Sequence, residues 1–307
     1  MKTKLPTVSI IIPTMNRKDS LLRTLRSISF LKYPQKRYDV VIINNASSDG
    51  TSKLVRKNYP KFKLIENSHN VGFAPALNQG IKNSKGQFVF ITNDDVIFHK
   101  DCLTELINLI QTDKKIGVVG GKMFFQDQPE IMALPGFKVN LWLGYFPYDY
   151  RGADQVRETD ITTGGCTLIR RSILNKSGMY DDGFFFCGED YDFCFRVRLA
   201  GFKILYCPKA IVWHGFLSSA KATDNFNQLF AHYRGKFKFM LIHASILQIL
   251  TFLPIQLFFG PFFSYLQSRK KTLLPMIKAL IWNIVNLPAT FKARGKVSKL
   301  RLGYPYV

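Results

Sequence analysis

The sequence has no acidic residue beyond Asp224, no CxxC spacing, no internal repeat and no low-complexity tract. Each absence excludes something. Five cysteines (Cys102, Cys166, Cys187, Cys194 and Cys207) make an odd set without paired spacing, so neither a disulfide framework nor a zinc knuckle is expected, and a reducing compartment fits. Near the N-terminus, Lys2 and Lys4 precede only a short apolar run, Val8–Ile12, which Pro13 stops. That run is too short for the core of a secretory signal. The missing acids leave residues 225–307 with twelve lysines and arginines and nothing to balance them, over half of the chain's net +22.

What is present describes a folded protein. The 307 residues are 47% hydrophobic and 21% charged, enough apolar surface to bury a core and too much for a disordered chain. Twenty-seven phenylalanines are many for a purely soluble protein. The positive excess points to polyanions: nucleic acid, anionic lipid or phosphorylated ligands.

Periodicity orders the first 206 residues. Apolar runs at Val8–Ile12, Val40–Ile43, Phe62–Ile65, Phe88–Ile91 and Ile116–Val119 read as buried strands, and amphipathic stretches between them read as helices. Residues 121–160 are irregular and suggest loops over the sheet. A further strand is expected over Thr163–Ile169, a helix over Tyr191–Ala200 with Gly201 ending it, and a strand over Lys203–Tyr206. Strands alternating with helices predict an α/β fold with a mostly parallel sheet covered on both faces.

Ligands of such sheets bind beyond the carboxyl ends of the strands. There the sequence places Pro13-Thr14-Met15-Asn16-Arg17, then Asn44-Asn45-Ala46-Ser47-Ser48-Asp49-Gly50-Thr51, then Asn70-Val71-Gly72-Phe73 with Asn78 further on, then Asn93-Asp94-Asp95. Small, amide and carboxylate side chains suit a base, a ribose and phosphates, although the same residues favour ordinary turns. Adjacent Asp94 and Asp95 at the end of an apolar strand repel each other, and a hard divalent cation relieves that while bridging to phosphate oxygens. Helix capping before Asp101 is the plainer reading. Glu189, Asp190 and Asp192 follow the apolar Phe184-Phe185-Phe186-Cys187, so raised pKa values are expected there, as a general base needs. Asp192 and Arg196, four apart on the expected helix, read as a structural ion pair. Trp213-His214 ends a short apolar run, and a lone histidine there is ordinarily structural.

These elements, in this order, resemble glycosyltransferase family 2. The resemblance rests on SIIIPTMNR (9–17), NNASSDGT (44–51), NVGFAPALNQG (70–80), TNDD (92–95), GGC (164–166), GEDYDFCFR (188–196) and WH (213–214), and covers about residues 8–240. The 70–80 stretch is most similar to the rhamnosyltransferase-type branch. The resemblance implies a GT-A type domain over residues 1–235 and an inverting, metal-dependent transfer from a nucleoside-diphosphate sugar, UDP- or dTDP-linked. It implies Asp190 as the base that deprotonates the acceptor hydroxyl. It implies Asp95 and His214 at an Mg²⁺ or Mn²⁺ ion, Asp94 beside the ribose or metal, and Pro13, Thr14, Asn16, Asn45, Asp49 and Asn78 around the nucleotide sugar. Asn93 stands where the family's DxD motif begins with Asp. Asp95 and Asp190 are expected to face a shared hollow.

Residues 236–307 are expected to form an apolar, basic helical tail. The run 241–266 is long enough to span a bilayer, but His243, Gln248 and Gln256 interrupt it, Pro254 and Pro261 break it, and basic clusters flank both ends. A broken or re-entrant interfacial arrangement is therefore expected, with a second amphipathic helix over 273–291 on the membrane surface. Helices packed onto the soluble domain are the alternative. The implied setting is the cytoplasmic face of a membrane, with a glycan or lipid-linked acceptor, in cell-surface polysaccharide synthesis, and no nucleic acid as partner. Two other readings compete. A nucleotide-sugar pyrophosphorylase needs a glycine-rich phosphate loop that residues 13–17 lack. A non-enzymatic basic protein binding nucleic acid or lipid would carry no catalytic constellation.

Overall fold

Strand β1 (Val8–Thr14) is buried along its whole length, and its side chains divide by parity. Ile11 packs into one apolar layer, Ile10 and Ile12 into the other. A period of two in a strand covered on both sides produces that division. The computed structural model describes residues 5–150, 152–162, 164–215, 226–260 and 272–301.

β1 pairs in parallel with β2 (Tyr38–Asn45) and β4 (Phe88–Ile91), and β3 (Lys63–Asn67) extends the sheet beyond β2. The crossovers carry α1 (Lys18–Ser29), α2 (Thr51–Asn58) and α3 (Phe73–Lys82). On α1, Leu21, Leu25 and Ile28 recur at helical spacing and are fully buried, each contributing roughly 1.5–3 kcal/mol.

Beyond β4 the sheet is mixed. β9 (Thr167–Arg170) runs antiparallel to both β4 and β6 (Ile116–Phe125). β6 pairs in parallel with β10 (Lys203–His214), and β5 (Val96–Phe98) joins β10 antiparallel. The order is β3-β2-β1-β4-β9-β6-β10-β5, with β7 (Met132–Leu134) on β6 and β8 (Arg157–Glu158) on β10. The parallel expectation therefore holds for β3-β2-β1-β4 and for β6-β10. The direction of β9 was illegible because a buried strand of either sense shows the same apolar run. Thr163, expected to open that strand, lies outside the described residues.

Two further expectations change. The apolar runs at 203–206 and 210–212 belong to one strand, β10, with register shifting between Cys207 and Ile211. Pro208, which has no N–H for the ladder, falls in that shift. Residues 121–160 are not simply loops. They hold the end of β6, then β7 and β8, and a hairpin bridged between Asn140 and Tyr145.

α4 (Cys102–Gln111) covers one face, and the short α5 (Leu174–Ser177) and α6 (Glu189–Leu199) lie on the other with α7 (Phe226–His243) against α6. Position 235, the expected domain boundary, is inside α7. α8 (Ile246–Pro254) starts at a capping box of Ser245 and Gln248 and runs into a π-turn, Ile255–Phe259. The single helix expected over 273–291 is two, α9 (Leu273–Val285) and α10 (Leu287–Arg301), broken at Asn286. Asn286 is the C-cap of the first helix, and both its backbone N–H and its side-chain amide donate to the Trp282 carbonyl. Residues 261–266 of the expected spanning run lie outside the described residues. Among the described residues no single helix is long and apolar enough to cross a membrane. α9 and α10 pass that test together but meet at 73°.

Candidate active site

Asp94 and Asp95 follow β4 and are 5% and 4% exposed. Two adjacent buried carboxylates need compensation, and Thr14 and Arg17 supply it. Thr14 Oγ1 donates to Asp94 Oδ2 at 2.7 Å. The Arg17 guanidinium spans the pair, with Nη1 3.4 Å from Asp94 Oδ1 and Nη2 3.0 Å from Asp95 Oδ2. On the other side His214 Nε2 lies 3.3 Å from Asp95 Oδ1. Burial still pushes Asp94 up to about 6, against the pull of Arg17 and Thr14.

Sheet register explains the meeting. Ile11 pairs with Ile91, so the turns after β1 and β4 share one edge. His214 pairs with Val96, one residue past Asp95, and the Gly215 N–H donates to the Asp95 carbonyl at 3.0 Å. The 121-residue separation of Asn93 and His214 closes to 2.8 Å between Asn93 Nδ2 and His214 Nε2. Burial lowers the His214 pKa to about 4, with Asp95 opposing, so the imidazole is neutral at pH 7.

The turns expected around a nucleotide are built from each other. Asn16, at φ 52°, accepts from the Ser48 N–H through Oδ1, and its own N–H donates to Ser47 Oγ. Pro13 and Thr14 form the end of β1 beneath it. Asn45 donates to the Gly72 carbonyl and accepts from Asn67. Asp49 takes the Lys18 N–H on one oxygen and the Thr51 N–H and hydroxyl on the other. Those bonds outweigh burial and hold its pKa below the ordinary carboxylate value. Asn78 is not brought to this edge. Its amide donates to the Tyr180 carbonyl and to Asp182, and its oxygen accepts from the Tyr180 N–H, which makes it a clamp between α3 and residues 180–182. Sequence alone could not separate a buried asparagine satisfied by backbone from one offered to a ligand.

Asp190 stands in the first turn of α6, where the helix dipole favours a carboxylate. The Gly164 N–H donates to its Oδ2 at 2.9 Å. Burial pushes Asp190 up to about 6, and burial together with Asp190 pushes its neighbour Glu189 up to about 8. Asp192 goes the other way. Against burial, Arg196 and His243 hold it well below the usual carboxylate range. Arg196 Nε and Nη2 donate to Asp192 Oδ2 at 2.9 and 2.7 Å, and His243 Nε2 lies 2.8 Å from Oδ1. Within one helical turn Glu189 is neutral, Asp190 is poised near neutrality and Asp192 is ionised.

Gly164 and Gly165 join the two halves of the site. A Cβ on Gly164 would stand 3.3 Å from both Asp190 oxygens, and one on Gly165 would stand 3.1 Å from His214 Cδ2. The Gly165 carbonyl accepts from Thr92 Oγ1 at 2.9 Å, at the head of the turn that carries Asp94 and Asp95. Two consecutive residues without side chains thus bring Asp190 and the Asp95–His214 pair to one wall.

The donor set suits a hard cation only in part. Asp95 is ion-paired with Arg17, but neither of its buried carboxylate oxygens has a hydrogen bond of good geometry, and a neutral His214 nitrogen faces one of them. Among the described residues no three His, Cys, Asp or Glu side chains converge on one point. A divalent ion here would therefore take two or three protein ligands and complete its sphere from phosphate oxygens and water, the usual habit of Mg²⁺ and of similar ions.

The profile of the family described as Glycosyl transferase family 2 matches residues 9–178. The chain belongs to that family. Two curated relatives have the same cast. One is a probable glycosyltransferase, YdaM, of Bacillus subtilis strain 168, 29% identical over 217 residues, which is 68% of this chain and 51% of the relative. Another is a poly-β-1,6-N-acetyl-D-glucosamine synthase of Staphylococcus epidermidis, 26% identical over 210 residues, 67% and 49% of the two chains. The chain thus spans about half the length of these relatives. Among solved structures, the mannosyltransferase PcManGT of Pyrobaculum calidifontis, in complex with GDP-Man and Mn²⁺, superposes with TM-score 0.62 at 20% identity, over 99% of this chain and 83% of that one. TarS residues 1–349 of S. aureus superpose with TM-score 0.58 at 17% identity, over 96% and 89%. The shared architecture is the GT-A fold.

Three members of this site carried no assigned role in the sequence reading. Arg17 and the glycine pair were visible inside matched motifs, but nothing in a linear sequence says that a guanidinium bridges two aspartates 77 residues on. In the sequence His243 shows only as an interruption of an apolar run. A buried histidine in such a run was the available signal that a polar partner waited in the core.

Proposed function

We propose that this chain is a metal-dependent glycosyltransferase that moves a sugar from a nucleoside-diphosphate donor to an acceptor hydroxyl with inversion. The observation that carries the reading is the Gly164–Gly165 wall, which sets a carboxylate poised near neutrality beside a buried aspartate–histidine pair. Asp190, ionised above pH 6, accepts the proton of the acceptor hydroxyl. That oxygen attacks the anomeric carbon from the side opposite the diphosphate, so configuration inverts in a single displacement. Asp94 and Asp95 face the diphosphate side, and Arg17 adds positive charge where negative charge develops on the leaving group. When bound, Mg²⁺ or Mn²⁺ supplies Lewis-acid stabilisation of the departing diphosphate. Asn16, Asn45 and Asp49 line the turns that would cradle base and ribose, with UDP or dTDP as the nucleotide. The structural neighbour in complex with GDP-Man and the relative named a poly-β-1,6-N-acetyl-D-glucosamine synthase support a sugar donor in general rather than a particular one. The setting proposed is the cytoplasmic face of a membrane, in polysaccharide synthesis.

A donor screen tests this. Purified protein is incubated with UDP-, dTDP- and GDP-sugars and Mn²⁺ or Mg²⁺, and nucleoside diphosphate release is measured. Release with one donor, abolished by chelation and by Asp190→Asn, is expected. No release or binding with any donor contradicts the reading.

A further inference from the structure

The C-terminal helices turn their apolar sides outward. On α8 and its π-turn, Phe252 and Gln256 are buried, while Ile246, Leu247, Leu250 and Phe258 are 72%, 66%, 61% and 75% exposed. α9 repeats the pattern. Met276, Ala279 and Asn283 face inward, and Leu274, Ile281, Ile284 and Val285 are more than half exposed. A helix on the surface of a water-soluble protein normally shows the opposite arrangement.

The hairpin within residues 137–150 continues this surface. Asn140 Oδ1 accepts from the Trp142 and Leu143 N–H groups at 3.0 and 3.1 Å, a tight tip that thrusts both side chains into solvent. Thr251 Oγ1 donates to the Trp142 carbonyl at 3.0 Å. Gly144, at φ +54°, lies so close to the Phe252 ring that a Cβ would overlap it. The tip is therefore pinned to α8, beside Leu250 and one turn from Leu247. The same hairpin reaches the catalytic helix: Phe146 packs 5.0 Å and Phe137 5.6 Å from Tyr191, the residue after Asp190.

Charge selects the occupant. No acid follows Asp224, Lys278 is exposed on α9, and Lys292, Lys296 and Lys299 are exposed on α10, the helix that follows it. Apolar residues amid uncompensated lysines match an anionic bilayer, whose interface takes hydrocarbon side chains and whose headgroups attract the bases. We propose that the hairpin tip, α8 and the outer stripe of α9 form one surface that lies on an anionic lipid bilayer. Resting on the transferase reading, the acceptor is then a lipid-linked hydroxyl that reaches Asp190 along the hairpin from the membrane plane.

Full-length protein is floated with phosphatidylcholine vesicles, with and without phosphatidylglycerol, and nucleoside-diphosphate-sugar binding is measured in parallel. Wild type should float with the anionic vesicles, and part should stay bound in high salt because the apolar contacts are not screened. Trp142→Glu combined with Leu250→Glu should lower vesicle affinity at least about tenfold, with circular dichroism, melting and donor binding unchanged. Lys292→Glu with Lys296→Glu should weaken binding to anionic vesicles alone. Wild type that stays with the soluble fraction in both vesicle types overturns the proposal, as does flotation unaltered by the Trp142/Leu250 pair. Failure to bind any nucleotide sugar while flotation follows expectation removes the transferase reading and leaves the surface standing.

Discussion

The Gly164 N–H donates to Asp190 Oδ2 at 2.9 Å, and the residue after Gly164 lies against His214. A carboxylate 95 positions beyond Asp95 is thereby fixed on the wall that holds the aspartate–histidine pair. Asp190→Asn keeps this shape but cannot take a proton. Turnover should fall by about 10²–10⁴, while donor affinity measured by calorimetry stays close to wild type.

The pH profile follows from the two raised acids. The proposed base role requires an ionised Asp190, so kcat should rise with pH through about 6 and level off above it. Glu189 titrates near 8 in the fold and near the ordinary value when unfolded. Between those limits the folded state binds the extra proton, so its contribution to stability is lost as pH rises. Glu189→Gln should melt higher than wild type by a margin that grows from pH 5 to pH 8. A margin independent of pH would mean that Glu189 is already ionised in the fold.

Arg17 neutralises the two aspartates, and a divalent ion would do the same work. Arg17→Ala should destabilise the metal-free protein by about 1–3 kcal/mol, less than the 3–5 of a fully buried pair, because the guanidinium is 38% exposed. Mn²⁺ should then raise the melting temperature of Arg17→Ala more than that of wild type. Equal shifts would place the ion elsewhere.

Much of this was legible, for reasons that differ by element. Strands β1, β2 and β4 are buried on both faces, so they read as unbroken apolar runs. The Asp192–Arg196 pair follows from helical spacing alone, and the structure adds the part that spacing cannot supply, His243 from α7. The strand order beyond β4 depends on long-range pairing, which local pattern does not encode. Asn78 shows the same limit at the site, since a turn-like motif carries no sign of which way an amide is spent.

The Asp192–His243 contact ties α7 to the helix that bears Asp190. His243 is fully buried, and Asp192 is 1% exposed. Asp192→Asn strips Arg196 of its buried counter-ion and should cost about 3–5 kcal/mol, whereas His243→Ala leaves Asp192 paired with Arg196 and should cost about 1–3 kcal/mol, both read by urea unfolding. A loss below about 0.5 kcal/mol, the size of an exposed pair, would show that solvent reaches this contact.

The central claim is that the diphosphate of a sugar nucleotide sits at Asp94 and Asp95 with its sugar turned toward Asp190. A crystal structure of Asp190→Asn with Mn²⁺ and the donor identified by screening tests it most directly. The account predicts the metal on Asp95, the diphosphate beside Arg17, and the anomeric carbon facing the residue-190 amide across the Gly164–Gly165 wall. A donor bound with its diphosphate away from the aspartate pair, or with its sugar pointing out of that wall, would contradict it.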